Sequence, residues 1–252
     1  MTNGQTSLTW YGHACVELRT PGGRTVLLDP WFGNPKSPRA ADQVERCDVL
    51  LVSHGHFDHL GSGPRRVRDA DALTIARRTK PVWPCSHELS LWLEDRLDGA
   101  GVQVIGMNKG GTVEAAGLRI TMVHADHSAG DWSAEGDGPL YLGEPIGFVI
   151  GLEDGATIYY SGDTALFGDM ALIGEIHRPD LAIVPIGGHY TMGPSEAARA
   201  VELIGAREVL PVHYGTFPIL AGTPTQLREA LAARGLRDVR VHEPAPGDTI
   251  SR

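Results

Sequence analysis

The segment Ser53-His54-Gly55-His56-Phe57-Asp58-His59 places three imidazoles and a carboxylate within six residues, directly after the apolar run Val49-Leu50-Leu51-Val52. Neutral imidazole suits zinc and its first-row neighbours, and a loop that follows a buried strand is where α/β proteins carry their ligands. In extended backbone the rings of His54 and His56 point to one side. Asp58 and His59 are adjacent, so their side chains diverge. This geometry fits two metal ions a few ångströms apart, one fed by His54 and His56, the other by Asp58 and His59. Neither pair completes a coordination shell, so further donors must arrive from elsewhere in the chain. Three segments offer them, each after or within an apolar run: Val123-His124-Ala125-Asp126-His127-Ser128, Tyr160-Ser161-Gly162-Asp163-Thr164, and Val212-His213-Tyr214-Gly215-Thr216-Phe217.

The elements that must position these residues are legible in outline. Leu8 and Trp10, then Ala14, Val16 and Leu18, alternate with small or polar residues around a Pro21-Gly22-Gly23 turn, which predicts strands. Thr25–Asp29 reads as a short buried strand ending in a carboxylate, and Cys47–Ser53 as the strand that delivers the histidines. After Pro84, Ser86 can cap a helix whose apolar face is Leu89, Trp92, Leu93 and Leu97. Strands return between 101 and 127, broken at Gly110-Gly111 and Ala116-Gly117, and residues 146–161 form a hairpin turning at Asp154-Gly155. The C-terminal third alternates: a strand at Leu181–Val184, a helix over 194–204, a strand at Val209–Val212, and a helix opened by Thr223-Pro224-Thr225-Gln226 that stops at Gly235. Strand-rich halves with interspersed helices predict an α/β (α+β) protein in which helices cover two stacked sheets, a four-layer αββα sandwich, with residues 1–252 as a single domain.

Composition narrows the field. The chain has 252 residues, 42% hydrophobic and 21% charged, with a formal net charge of −9. That balance argues against nucleic acid as a partner, since phosphate-backbone binding needs clustered Lys and Arg; it leaves room for a small anionic substrate held by metal. The opening Met1-Thr2-Asn3-Gly4-Gln5 does not read as a signal peptide, and no apolar run approaches the roughly 20 residues of a membrane span. The expectation is a cytoplasmic protein, with a homo-oligomer left open. Cys15, Cys47 and Cys85 show no CxxC spacing and read as small buried thiols.

The order of these motifs resembles the metallo-β-lactamase superfamily: a His-x-His-x-Asp-His motif, a later His, a later Asp and a last His, over Leu8 to Ile250. Within it the chain is most similar to the bacterial metal-dependent hydrolases near the ascorbate phosphate lactonases, through Trp10-Tyr11-Gly12-His13-Ala14, Leu28-Asp29-Pro30, His127-Ser128, Gly162-Asp163-Thr164 and Thr191-Met192-Gly193-Pro194. His213-Tyr214-Gly215-Thr216-Phe217 also resembles the last metal motif of the N-acyl-phosphatidylethanolamine phospholipase D group. The resemblance implies a metallo-β-lactamase fold and two divalent ions per chain, zinc first and manganese second. It implies His54, His56 and His127 on one ion, Asp58, His59 and His213 on the other, and Asp163 bridging both. His127 is preferred to His124 because Ser128 follows it.

Four further residues stand near these motifs. Asp29 ends a buried strand and could accept a ring N–H from a metal-bound histidine. His13 could touch the metal centre or orient Asp163. His189 and Tyr190 follow a strand's end, a suitable address for a general acid or a substrate contact. The aromatics Trp31, Phe32, Trp132 and Phe217 are candidates to line the pocket. The expected reaction is hydrolysis by a metal-bridging hydroxide, with Asp58 orienting it and His189 or a water protonating the leaving group. The leading substrate is a phosphodiester or phosphorylated small molecule. The alternatives are a cyclic ester such as a sugar-acid lactone, or a metal-binding protein without catalysis. His56 speaks against a diiron redox protein on the same fold, which would be expected to carry Glu there. The absence of a Cys from every ligand motif speaks against a penicillin-type lactamase.

Overall fold

The structure is a computed structural model and describes residues 4–62, 70–132 and 138–252, with only the backbone of Trp132. Met1, Thr2 and Asn3, read above for a signal peptide, and the Trp132 side chain lie outside the described residues. The chain begins with β1 (Ser7–Trp10), β2 (Val16–Arg19), β3 (Thr25–Leu28) and β4 (Val49–Leu51). The short helix α1 (Phe57–Leu60) follows, then α2 (Asp71–Thr79), β5 (Val82–Ser86), α3 (His87–Leu97) and β6 (Gln103–Met107). Next come β7 (Thr112–Ala115), β8 (Leu118–His124), a small ribbon of β9 (Asp131–Trp132) and β10 (Pro139–Leu140), β11 (Ile146–Gly151) and β12 (Thr157–Tyr160). The chain then runs through α4 (Met170–His177), β13 (Leu181–Pro185), α5 (Pro194–Ile204), β14 (Glu208–Val212), α6 (Pro224–Ala233), β15 (Arg240–Val241) and β16 (Thr249–Ser251).

Two seven-stranded sheets result, ordered β16-β1-β2-β3-β4-β5-β6 and β15-β14-β13-β12-β11-β8-β7. Each is antiparallel at one end and parallel at the other: β3 to β6 run parallel in the first, β12 to β15 in the second. The period-two alternation of the strands explains the layering. Val26, Leu28, Val49 and Leu51 point between the sheets, where they meet Ile120, Phe148, Ile158 and Ile183. Leu27, Leu50 and Val52 point the other way, onto α2 and α3 through Leu73, Ile75, Leu89 and Leu93. On the far side, Tyr159, Ala182, Val184 and Val209 pack under α4, α5 and α6. This is the predicted αββα sandwich.

Helix starts follow their local chemistry where that chemistry exists. The Ser86 side chain accepts from the Leu89 N–H to open α3, and Thr223 with Gln226 forms a capping box ahead of α6. Two helices differ from the sequence reading. Neither α2, preceded by Ala70, nor α4, preceded by Asp169, has a side-chain cap to announce its start. They form because Leu73, Ile75 and Ala76 in α2, and Met170 and Ile173 in α4, are buried against a sheet. Among the described residues no helix is long and apolar enough to cross a membrane.

One close approach controls how the loop after β12 meets the histidine motif. Gly162 has φ +60°, and a Cβ there would lie 2.5 Å from Ser53 Cβ and 2.7 Å from the Ile146 carbonyl oxygen. Gly162→Ala therefore combines a left-handed alanine with an overpacked contact. It is expected to destabilise the fold by roughly 2–4 kcal/mol, read by urea denaturation of the metal-stripped protein.

Candidate metal centre

The candidate residues gather at one edge of the sandwich because they follow the C-terminal ends of strands. Asp29 follows β3, Ser53 to His59 follow β4, Asp163 follows β12, and His213 follows β14. His127 lies three residues past β8, and His13 stands in the β1–β2 connection. Parallel strands bring their carboxyl ends to a common edge, which is where such sheets hold ligands.

At the base lies Asp29, fully buried. Its Oδ1 accepts the Ser53 N–H at 2.7 Å, and its Oδ2 accepts the Ser53 hydroxyl at 2.6 Å, the His59 Nδ1–H and the Tyr160 hydroxyl. These bonds fix ring orientations. A carboxylate only accepts, so His59 carries its proton on Nδ1 and turns Nε2 inward. Ser53 spends its one hydroxyl proton on Asp29, so it accepts from His54 Nδ1–H at 2.9 Å, and His54 Nε2 is left facing His56 Nδ1 at 2.8 Å. His13 is held in the same manner: Nε2–H donates to Asp58 Oδ2 at 3.1 Å, and Nδ1 accepts from the Thr216 hydroxyl at 2.9 Å.

The donors fall into two main groups, in each of which the ligand atoms lie within 4.8 Å of one another: His54, His56 and His127 in one, and His13, Asp58, His59 and His213 in the other. Asp163 stands between them. Its Oδ2 is 3.1 Å from His59 Nε2, 3.0 Å from His213 Nε2 and 3.8 Å from His127 Nε2. Those contacts are close enough for attraction, yet His59 Nε2 and both ring nitrogens of His213 make no hydrogen bond within the described residues. A buried polar atom left unpaired costs about 1–3 kcal/mol. Buried ring nitrogens that converge on a carboxylate without completing hydrogen bonds are what a cation would satisfy, so the residues present fit a metal centre.

The electrostatics divide the rings: burial works against charge on His59, but Asp163 and Asp29 overcome it and hold that ring well above its usual value. Burial, followed by the charge of neighbouring His213 or His59, pulls His13 and His56 down to about 4. The same two causes hold His54 well below its usual value, and burial lowers His127. These rings are neutral, the form that binds metal. Burial acts to raise Asp58 and Asp163, but the His13 hydrogen bond and the nearby His213 ring on the first, and attraction to the charge of His213 and His59 on the second, keep both well below the usual carboxylate range. Burial likewise works against charge on His213, and Asp163 overcomes it, lifting the ring to about 9.

Backbone conformation adds a further signature. His13, Asp29 and His213 have φ of +50°, +40° and +55°. Left-handed backbone costs a non-glycine residue roughly 1–2 kcal/mol, and such residues persist where their surroundings over-determine them. Here the His213 N–H donates to the His13 carbonyl at 2.9 Å, and the Trp10 indole N–H donates to the same oxygen at 2.9 Å.

The remaining sequence candidates separate cleanly. His124 is exposed at the end of β8, beside Lys109 and against Phe167, outside both groups. His189 is exposed too, with its ring edge-on to Tyr190. Tyr190 lines the hollow over the donors, whereas His189 does not. Phe217 also lines it, Trp31 packs behind it against His13 and Phe57, and Phe32 is buried against Tyr11. The hollow measures about 460 Å³; its floor is His56, Asp58, His127, Asp163 and His213. Ser53, Tyr160 and Thr216 are the supporting residues that the motifs do not reveal. Only Ser53 carried a signal, its place between a buried strand and the first histidine.

An αββα sandwich with this donor set at its strand ends defines a class. The Beta-lactamase superfamily domain matches residues 24–214, and the chain belongs to that superfamily. Over 246 residues it is 42% identical to a UPF0173 metal-dependent hydrolase of Koribacter versatilis, covering 97% of each chain. It is 44% identical over 231 residues to another from Herpetosiphon aurantiacus, covering 90% of each. Among solved structures it is similar to Igni18, a metallo hydrolase of the archaeon Ignicoccus hospitalis, with a TM-score of 0.81, 33% identity and 98% of each chain covered.

Asp29→Ala should cost roughly 3–5 kcal/mol of stability, because it strands the buried Ser53, His59 and Tyr160 donors. Denaturation of the metal-stripped protein separates this structural loss from any effect of metal.

Proposed function

We propose that this chain is a hydrolase holding two divalent metal ions, with residues 1–252 acting as one domain. The observation that carries the reading is the set of buried, unbonded ring nitrogens on His59 and His213 around Asp163, flanked by neutral imidazoles. His54, His56 and His127 would hold the first ion, Asp58, His59 and His213 the second, and Asp163 would serve both. Zinc suits the imidazole count, and manganese is the second choice because two carboxylates also suit a harder ion. When bound, such a pair supplies a water-derived nucleophile at neutral pH and polarises a substrate carbonyl or phosphoryl oxygen.

The chain's own residues prepare the rest. His13, fixed in one tautomer by Thr216, holds the Asp58 carboxylate by one oxygen and so sets the direction of the other. Asp29 does the same for the His59 ring. Phe57, Phe217 and Leu220 wall the floor from bulk water. Tyr190, at the rim of the hollow, is better placed than His189 to give a proton to a leaving group. The hollow itself favours catalysis over passive metal storage, which needs no space above the donors. The names of the relatives from Koribacter versatilis and Herpetosiphon aurantiacus agree with hydrolysis.

Two ester classes suit this centre, a phosphodiester and a cyclic carboxylic ester. The apolar lining residues Phe57, Phe217, Ile219 and Leu220 favour the carboxylic ester.

Elemental analysis tests the donor set. His127→Ala should lower metal content at the first position and weaken binding by at least about tenfold, while His124→Ala should retain wild-type metal. Chelation should abolish turnover in a screen of lactones, open esters, thioesters and phosphodiesters, and added zinc or manganese should restore it. Full hydrolysis by metal-stripped protein would overturn the reading.

A further inference from the structure

The hollow over Asp58 and Asp163 is half of a longer cleft. A second hollow of about 450 Å³ lies beside it, and the two share His56, Ser128 and Asp131. The metal-side donors therefore stand at a junction, with apolar side chains leading away in both directions. Phe57, Phe217, Ile219 and Leu220 line one lobe; Pro139, Leu140 and Tyr141 line the other.

The surface distribution of large apolar side chains points to the same place. Seven are exposed among the described residues, and four of them, Tyr141, Tyr190, Phe217 and Ile219, line these two lobes. Isolated exposed hydrophobics need no explanation, but a cluster of them around a concave site marks a ligand groove. Tyr141 is 63% exposed and Ile219 47%, so both have much apolar surface left to cover. Each lobe has the size of a small-molecule pocket. Neither contains a Lys or Arg among its described lining residues.

We infer that the substrate is a carboxylic ester with uncharged, apolar groups on both sides of the bond that is cut, the acyl part in one lobe and the alcohol part in the other. This rests on the ester-hydrolase reading above. In the reaction water adds to the carbonyl carbon, the acyl–oxygen bond breaks, and the products are a carboxylate, a proton and an alcohol.

The test uses metal-loaded protein and two series of open esters, one lengthening the acyl chain at constant alcohol, the other lengthening the alcohol at constant acetate. kcat/KM should rise in both series, by up to about fourfold per methylene. Ile219→Asp should flatten one series and Tyr141→Asp the other, with metal content and Tm unchanged. Calorimetry with hexanamide and acetamide gives a readout that does not depend on turnover, and hexanamide should bind more tightly. Turnover with flat profiles in both series, and equal binding of the two amides, would overturn the two-lobe inference and leave the hydrolase reading intact. Tighter hexanamide binding with no turnover of any ester would support the apolar lobes and sink the ester reading beneath them.

Discussion

A single buried carboxylate holds the site to the fold. Asp29 has no contact with solvent, so its charge is tolerated only because four donors surround it. Those donors come from different places: the end of β4, helix α1, and strand β12 in the opposite sheet. The network thus does two jobs with one set of bonds. It ties the sheets together at the edge where their strand ends meet, and it decides which nitrogen of His54 and of His59 faces the cavity. A neutral isostere would satisfy some of the donors, but it could not accept from all four while leaving both rings in the required tautomer.

Backbone strain and hydrogen bonding reinforce each other on the second side of the site. His13 and His213 both occupy left-handed backbone, and the amide of one donates to the carbonyl of the other. Their rings lie 3.9 Å apart by centroid, so the His13 side chain reaches Asp58 while its backbone aims His213. One residue from the β1–β2 connection therefore orients donors from both sheets.

Much of this was legible in the sequence, and the reasons for the remainder are physical. Continuous apolar runs in β3, β4 and β13 mark them as strands buried on both faces, and the caps of α3 and α6 announce themselves through Ser86 and Thr223. Helices α2 and α4 have no such signal, because tertiary burial makes them helical. The histidine motif is local and so is readable from spacing. The Tyr160–Asp29 and Thr216–His13 bonds join residues 131 and 203 positions apart, a pairing no local pattern encodes. His124 and His127 look equivalent in a list of imidazoles. What separates them is that β8 runs through His124 and leaves it on the surface, while the chain past the strand's end turns His127 inward.

The donors are divided between the two sheets: His13 and His54 to His59 from one, His127, Asp163 and His213 from the other. In the proposed centre neither donor set is complete within one sheet, so an ion bound across the edge would act as a clasp on the closed sandwich. Ligand binding of this kind adds about 4 kcal/mol to folding stability when the free ion stands a thousandfold above its Kd. Metal scarcity would then reach this protein through turnover of the polypeptide itself: chains without the ion open more often, meet proteases more often, and have shorter lives in the cell.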